Sequence, residues 1–245
     1  MFYDVIVVGG GLAGMRAAIA AHDAGVKVVL LSKIHPVRSH SGAAQGGINA
    51  ALANHPSAKD DTPEKHAYDT IKGSDFLADQ DAVEIMTAAA PEIVFEFDHW
   101  GCPFSRFDDG TIAQRPFGGA GYPRTCYGAD RTGLYLLHTL YEQIVKRNIP
   151  VLYERFVTKL AVKAGRCAGV VAMNLHSGEF ETFGANAVIF ATGGSGRIYS
   201  VNTTNAHAST GLGVAIPYWA GVPMQDMEFI QFHPTGLDGS SILMT

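Results

Sequence analysis

Tyr3-Asp4-Val5-Ile6-Val7-Val8-Gly9-Gly10-Gly11-Leu12-Ala13-Gly14 is the stretch that decides the fold. Its first six residues form a short apolar run suited to a strand buried in a parallel sheet. Glycines follow at the GxGxxG spacing of Gly9, Gly11 and Gly14, and the alanine-rich Met15–Ala24 predicts a helix that ends at Gly25. Val26-Lys27-Val28-Val29-Leu30-Leu31 reads as a second strand. Strand, glycine loop, helix and strand together have the length of roughly 30 residues that a dinucleotide-binding unit needs.

Each glycine has a physical task in that reading. Gly9 permits a tight turn, Gly11 lets the backbone approach a pyrophosphate, and Gly14 lets helix and strand pack closely. Gly10, Leu12 and Ala13 complete the loop, and the helix N-terminus offers free N–H groups to the phosphates. The loop alone does not separate NAD from FAD. The acid that usually ends the second strand and binds ribose hydroxyls is replaced by Ser32 and Lys33.

Downstream lies Ser32-Lys33-Ile34-His35-Pro36-Val37-Arg38-Ser39-His40-Ser41-Gly42-Ala43-Ala44-Gln45-Gly46-Gly47. Hydrogen bonds suffice to hold most cofactors, so a histidine beside a cofactor cradle raises the prospect of a covalent tether. The alternative for any of the ten histidines is a hydrogen-bonding loop residue.

Composition sets the outer limits. The 245 residues suffice for a full core, and 47% hydrophobic against 17% charged residues exclude wholesale disorder. The 28 glycines exceed the usual ~7% and are clustered, as close backbone approach to a ligand requires. A net charge of -5 disfavours nucleic acid as a partner. Cys102, Cys126 and Cys167 form no CxxC pair, which argues against a zinc site or a disulfide framework and for a reducing compartment. No apolar run approaches ~18 residues and no signal segment precedes the first strand, so any membrane association is expected through a partner. The sequence stops within the apolar run Ile242-Leu243-Met244-Thr245, and the expectation is that a longer polypeptide continues beyond it.

The middle of the chain is less regular. Residues 54–81 read as a polar surface excursion with one helix near Glu64–Lys72. Asp81–Phe97 has helical spacing of Val83, Ile85, Met86, Ile93, Val94 and Phe97, interrupted by Pro91. Phe104–Arg131 reads as irregular, and Thr132–Arg147 as a helix with Leu134, Leu137, Leu140, Ile144 and Val145 on one side. Val151–Phe183 predicts a small antiparallel meander turning at Ala164-Gly165 and Ser177-Gly178. Ala187-Val188-Ile189-Phe190-Ala191-Thr192-Gly193-Gly194 predicts another buried strand running into glycines. The expected fold is α/β: an FAD-type, Rossmann-like parallel sheet elaborated by an antiparallel β-meander.

Arg38-Ser39-His40, Ala44-Gln45-Gly46-Gly47, Lys72-Gly73-Ser74-Asp75, Gln114-Arg115-Pro116-Phe117-Gly118-Gly119, Ala129-Asp130-Arg131-Thr132-Gly133, Thr204-Asn205-Ala206-His207 and Gln231-Phe232-His233-Pro234-Thr235-Gly236 join the first glycine loop in a pattern that spans the chain. In these motifs and their order the sequence resembles the flavoprotein subunits of succinate dehydrogenase and fumarate reductase. The resemblance implies FAD bound by Gly9–Gly14, Ser32, Lys33, Arg38, Ser39, His40, Ser41, Ala44, Gln45, Gly46, Gly47, Ala191, Thr192 and Gly193. It implies a covalent 8α-histidyl link through His40, whose neutral imidazole is a nucleophile near neutral pH where lysine is not. It also implies a dicarboxylate, succinate or fumarate, contacted by His233, Thr245 and Phe117, with a core aromatic as the alternative reading of Phe117.

The same resemblance implies one FAD-binding domain over 1–245, with about 54–130 as an excursion, and a capping domain and a C-terminal helical domain after 245. No catalytic residue falls inside 1–245, because the proton-relay arginine is expected later, and no metal site is expected. The implied partners are an iron–sulfur subunit and, indirectly, membrane anchor subunits, at the cytoplasmic face of the cell membrane. Gln45 favours succinate oxidation, since fumarate reductases tend to carry Glu there. Leu212 departs from the family's Thr-Gly-Asp-Gly pattern at 210–213. Competing readings are a fumarate reductase or L-aspartate oxidase-like enzyme and a flavin-binding module without turnover; Arg38-Ser39-His40 argues against the aspartate oxidase.

Overall fold

A computed structural model describes residues 1–199, 203–231, 233, 236 and 237. In chain order the elements are β1 (Phe2–Val8), α1 (Leu12–Asp23), β2 (Val28–Ser32), β3 (Ile48–Asn49), α2 (Pro63–Gly73), α3 (Gln80–His99), β4 (Gln114–Arg115), β5 (Thr125–Cys126), α4 (Thr132–Lys146), β6 (Val151–Tyr153), β7 (Arg155–Lys163), β8 (Arg166–Asn174), β9 (Phe180–Phe190) and α5 (Leu212–Trp219). They fall into two compact units, 1–41 with 140–245, and 42–139.

The first unit is built on a six-stranded sheet in the order β6-β2-β1-β9-β8-β7. β6, β2, β1 and β9 run parallel, and β8 and β7 continue antiparallel from β9. β1 and β2 are short and rich in Val, Ile and Leu, as burial on both faces demands; all five residues of β2 are buried. Tyr3, Ile6 and Val8 of β1 pack with Val29 and Leu31 of β2, Val157 of β7, Val170 of β8 and Phe183 of β9 in one core.

Several expectations need correction here. α1 starts at Leu12, inside the glycine motif rather than after it, because Gly11 already has the extended N-cap conformation. Val151–Tyr153 belongs to the parallel sheet beside β2, not to the meander. The last meander strand and the following strand are one strand, β9, whose Gly184–Phe190 pairs with β1 and whose Phe180–Gly184 pairs with β8. Its C-terminal half is not uniformly buried: Ile189 is 40% exposed. The hairpin turn at Ala164-Gly165 appears as read, with φ of 51° and 73°, the left-handed pair that matches strand twist.

The second unit holds α2, α3 and a three-stranded antiparallel sheet in the order β3-β5-β4. Thr62 caps α2 by accepting the Lys65 N–H, with Pro63 in the first turn. Asp79 caps α3 through the Ala82 N–H. Pro91 does not interrupt α3, which runs unbroken for 20 residues. Burial of Val83, Thr87, Val94 and Phe97 along one stripe offsets a backbone cost of about 3 kcal/mol for an internal proline. Ile85, Met86 and Ile93, read as part of that stripe, face outward instead. In α4, Leu136, Leu137, Leu140 and Ile144 are buried, whereas Val145 is exposed. Phe104–Arg131, read as irregular, contains β4 and β5; two-residue strands leave no alternation in a sequence.

Among the described residues no helix is long and apolar enough to cross a membrane.

Candidate functional site

In the first unit the ends of β1, β2 and β9 and the start of α1 converge on the glycine loop. Gly9 has φ of 109°, and its N–H is held by the Leu31 carbonyl at 2.8 Å. A Cβ at Gly9 would overlap the Ala191 carbonyl, and one at Gly14 would overlap the Gly9 carbonyl. Any side chain there drives helix and strands apart. A Cβ on Gly10 would meet the Ser32 Oγ at 2.9 Å and the Pro36 ring at 3.0 Å. These close approaches join Gly9–Gly14, Ser32, Ala191 and Thr192 in one backbone-built cradle.

The cradle has the polarity that an anion requires. The first turn of α1 carries no acidic residue, and its Gly11 N-cap has no side chain with which to bond the free N–H groups. Ser41 Oγ accepts from the Leu12 N–H at 3.4 Å. Ser39 Oγ lies 3.7 Å from the position of a Cβ on Gly11, and it is buried without a hydrogen-bond partner. A buried hydroxyl without a partner is rare in a folded protein, and here it stands beside the N-terminus of α1. The residues thus fit a diphosphate.

Lys33 Nζ sits over the Phe156 ring, 5.2 Å from its centroid. Arg38 is exposed in a 3-10 turn over Pro36–Arg38, and Gly193 has φ of 69° in the loop that leaves β9.

His40 begins a second 3-10 turn, His40–Ala43, and stays exposed. Its Nδ1 accepts the Ala206 N–H at 3.3 Å, which assigns the proton of the neutral ring to Nε2. Partial desolvation holds the imidazole below its ordinary pKa, so it is neutral at neutral pH. Leu212 is the first residue of α5, which follows Gly211 at φ of 78° and packs Gly213 against Thr192. The departure from the family pattern thus stands next to the cradle.

In the second unit the turn Ala44–Gly47 has its carbonyls turned into the protein. Ala44 O accepts the Gly133 N–H at 2.8 Å, Gln45 O accepts the Thr132 hydroxyl at 3.3 Å, and Gly46 O accepts Arg115 Nε at 3.1 Å. The Arg115 guanidinium lies over the Tyr127 ring, 4.4 Å from its centroid. Gly47, at φ of 124°, runs against the Cys126 carbonyl and the Thr125 methyl group. Phe117 is 46% exposed, which corrects the core-aromatic alternative, and a Cβ on Gly46 would lie 2.6 Å from its Cζ. Ala44, Gln45, Gly46, Gly47 and Phe117 thus form one surface.

His233 is exposed, and Thr245 lies outside the described residues. Arg115, Thr132 and Gly133, which set the Ala44–Gly46 carbonyls, were not singled out as site residues from the sequence. Their signal was present: Arg115 and Thr132-Gly133 fall inside two of the motifs. Burial pushes the Cys102 thiol up to about 11 and the Cys126 thiol up to about 12, so neither is a nucleophile.

Comparison with known proteins bears on this geometry. The family described as FAD binding domain matches residues 4–245. The chain is 48% identical over 251 residues to the succinate dehydrogenase flavoprotein subunit of Rickettsia bellii, covering 99% of this chain and 41% of that protein. It is 46% identical to the fumarate reductase flavoprotein subunit of Mycobacterium tuberculosis, again covering 99% and 41%. Among solved structures, a variant of the E. coli quinol fumarate reductase superposes with a TM-score of 0.94 at 44% identity, covering 100% of this chain and 41% of that one. The chain therefore spans about two fifths of the length of the relatives it matches.

Proposed function

Because the chain belongs to the FAD binding domain family, among the flavoproteins of succinate dehydrogenase and fumarate reductase, we propose that it is the FAD-binding part of a subunit that interconverts succinate and fumarate. On this reading residues 1–245 are one FAD-binding domain, with about 54–130 as an excursion. The capping and C-terminal helical domains belong to the length of the relatives that this chain does not cover.

The observation that carries the proposal is the cradle: glycines that tolerate no Cβ, an acid-free helix N-terminus, and a buried, unpartnered Ser39 hydroxyl. The helix N–H groups and the Ser39 and Ser41 hydroxyls take the diphosphate. Ser32 offers a neutral hydroxyl where NAD enzymes place a carboxylate. Lys33, Arg38, Ala191, Thr192 and Gly193 complete the surround. His40, kept neutral, carries the 8α-histidyl link.

FAD, when bound, supplies a hydride acceptor at N5. The carbonyls of Ala44, Gln45 and Gly46 are engaged by Gly133, Thr132 and Arg115, which fixes the shape of the Ala44–Gly47 turn assigned to the cofactor. His233, Thr245 and Phe117 hold the dicarboxylate, and the proton-relay arginine lies outside this sequence. Gln45 favours succinate oxidation as the working direction. Electrons then pass to an iron–sulfur subunit, and membrane anchor subunits hold the complex to the cytoplasmic face of the membrane.

The test is turnover by the intact subunit in complex with its iron–sulfur partner. Succinate is expected to reduce an artificial electron acceptor, and fumarate to reoxidise a reduced dye more slowly. Faster reaction with fumarate would assign a reductase. Oxidation of L-aspartate with no response to succinate would overturn the proposal in favour of the aspartate oxidase reading.

A further inference from the structure

The segment from Phe117 to Arg124 is secured by side chains near its two ends, with a single turn hydrogen bond from the Ala120 N–H to the Phe117 carbonyl in between. At one end the Phe117 ring rests on Gly46. The middle, Gly118-Gly119-Ala120-Gly121, has almost no side chain with which to pack. A Cβ at Gly118 or Gly119 would meet nothing within 4 Å, and Gly119 has φ of 81°. Ordering such a stretch is entropically expensive, because glycine has the most backbone freedom to lose.

The other end is held by charge. Arg124 is fully buried; its Nε donates to Asp61 Oδ2 at 3.1 Å and its Nη2 to Asp61 Oδ1 at 2.8 Å. Its Nη1 lies 2.8 Å from Asp69 Oδ2, an ion-pair contact without hydrogen-bond alignment. The same Asp69 Oδ2 accepts the Gly121 N–H at 2.8 Å. Next to it, Lys65 Nζ donates to the Tyr122 hydroxyl at 2.9 Å and to Asp60 Oδ2 at 2.6 Å, and the Tyr122 hydroxyl donates to Asp60 Oδ2 at 3.2 Å. Asp60 and Asp61 precede the α2 cap, and Lys65 and Asp69 project from its first two turns.

Burying a guanidinium between two carboxylates costs desolvation that the pairing barely repays. Stability is thus a weak reason for the arrangement, whereas placing a glycine-rich segment is a strong one. We propose that Asp69 is a positioning residue, which acts with Arg124, Asp61, Lys65 and Tyr122 to clasp the 118–124 segment to α2 and so fix the Phe117 ring. The proposal rests on the reading of Phe117 as a dicarboxylate contact.

The experiment compares Asp69→Ala, Asp69→Asn, Gly121→Ala and Phe117→Ala in the intact flavoprotein within its complex. Asp69→Ala leaves Arg124 paired with Asp61, so the chain is expected to fold. Gly121→Ala places a Cβ 2.9 Å from Asp69 Oδ2 and disturbs the clasp without changing charge. Two readouts are taken: hydrogen exchange of the 118–121 amides, and KM against kcat for the dicarboxylate.

Asp69→Ala and Gly121→Ala are expected to speed exchange at 118–121 and to raise KM on the order of tenfold, with kcat and flavin content kept, as loss of ground-state positioning predicts. Asp69→Asn, which keeps an acceptor for Gly121, restores most of both. Unchanged exchange in Asp69→Ala would overturn the clasp whatever Phe117 does. A raised KM in Phe117→Ala alone would overturn the clasp and leave the dicarboxylate site standing. Faster exchange with no KM effect in any variant, Phe117→Ala included, would overturn the reading of Phe117 and with it the proposed role of Asp69.

Discussion

The glycine cradle of the first unit and the Arg124 clasp of the second are built from opposite materials. The cradle is backbone: Gly9 and Gly14 exclude side chains so that peptide groups approach one another and any ligand, and Gly10 makes room for Ser32 and Pro36. The clasp is side chain: a buried arginine, its two carboxylates and a lysine–tyrosine–aspartate group order a segment that has little packing of its own. A backbone site is sensitive to added volume and indifferent to charge. A side-chain clasp is sensitive to the loss of a hydrogen-bonding partner, and to volume only where a new Cβ meets one of those partners, as at Gly121 beside Asp69.

Substitutions can break that contrast. The largest effect is expected from Arg124→Ala, which strands Asp61 as a buried, uncompensated carboxylate and removes the cation beside the partly buried Asp69. A loss of about 3–5 kcal/mol, on the order of 10 °C in Tm, is expected in thermal unfolding. Next comes Gly14→Val, whose side chain overlaps the Gly9 carbonyl. It is expected to cost about 1–3 kcal/mol and to abolish bound flavin, read as loss of visible flavin absorbance. Normal flavin content in Gly14→Val would show that the cradle does not depend on close backbone approach.

A smaller effect comes from His66, buried beside the clasp with an unpartnered Nδ1. Burial and, secondarily, the Arg124 charge hold its pKa below the ordinary value of 6.5. The unfolded chain then binds a proton that the folded chain refuses, so stability is full above that value and falls as pH drops toward the folded one. Desolvation of His40 acts with the same sign. His66→Gln is expected to flatten the fall in Tm between neutral and mildly acidic pH, and an unchanged slope would remove His66 from the account. The smallest effect is expected from Asp23→Asn. The Arg147 hydrogen bond lowers the Asp23 pKa, but the Asp23 carboxylate is half-exposed to screening water, and its loss should cost under about 1 kcal/mol in a denaturant titration.

The same contrast explains what could be read from the sequence. The cradle was legible because its signals are local: an apolar run, the GxGxxG spacing and a helix within some 30 residues. The clasp was not, because Arg124 and Asp61 are separated by 63 positions, and β3, β4 and β5 are too short to show alternation. In sequence β9 reads as two strands, because its antiparallel and parallel halves look like separate elements. Pro91 reads as a break because intrinsic propensity takes no account of the burial that carries α3 through it. Ile85, Met86, Ile93 and Val145 matched helical spacing yet face outward, since periodicity identifies apolar positions without saying what covers them.

The central claim is that this chain holds FAD at the cradle and binds it covalently through His40. The most direct measurement is to precipitate the intact subunit in acid, separate it on a denaturing gel, and look for flavin fluorescence in the band, with His40→Ala alongside. A fluorescent band, absent from His40→Ala, with the added mass of FAD on the His40 peptide is the predicted result. A dark band with all flavin released to the supernatant would contradict the tether, and no flavin in either fraction would contradict the cradle as well.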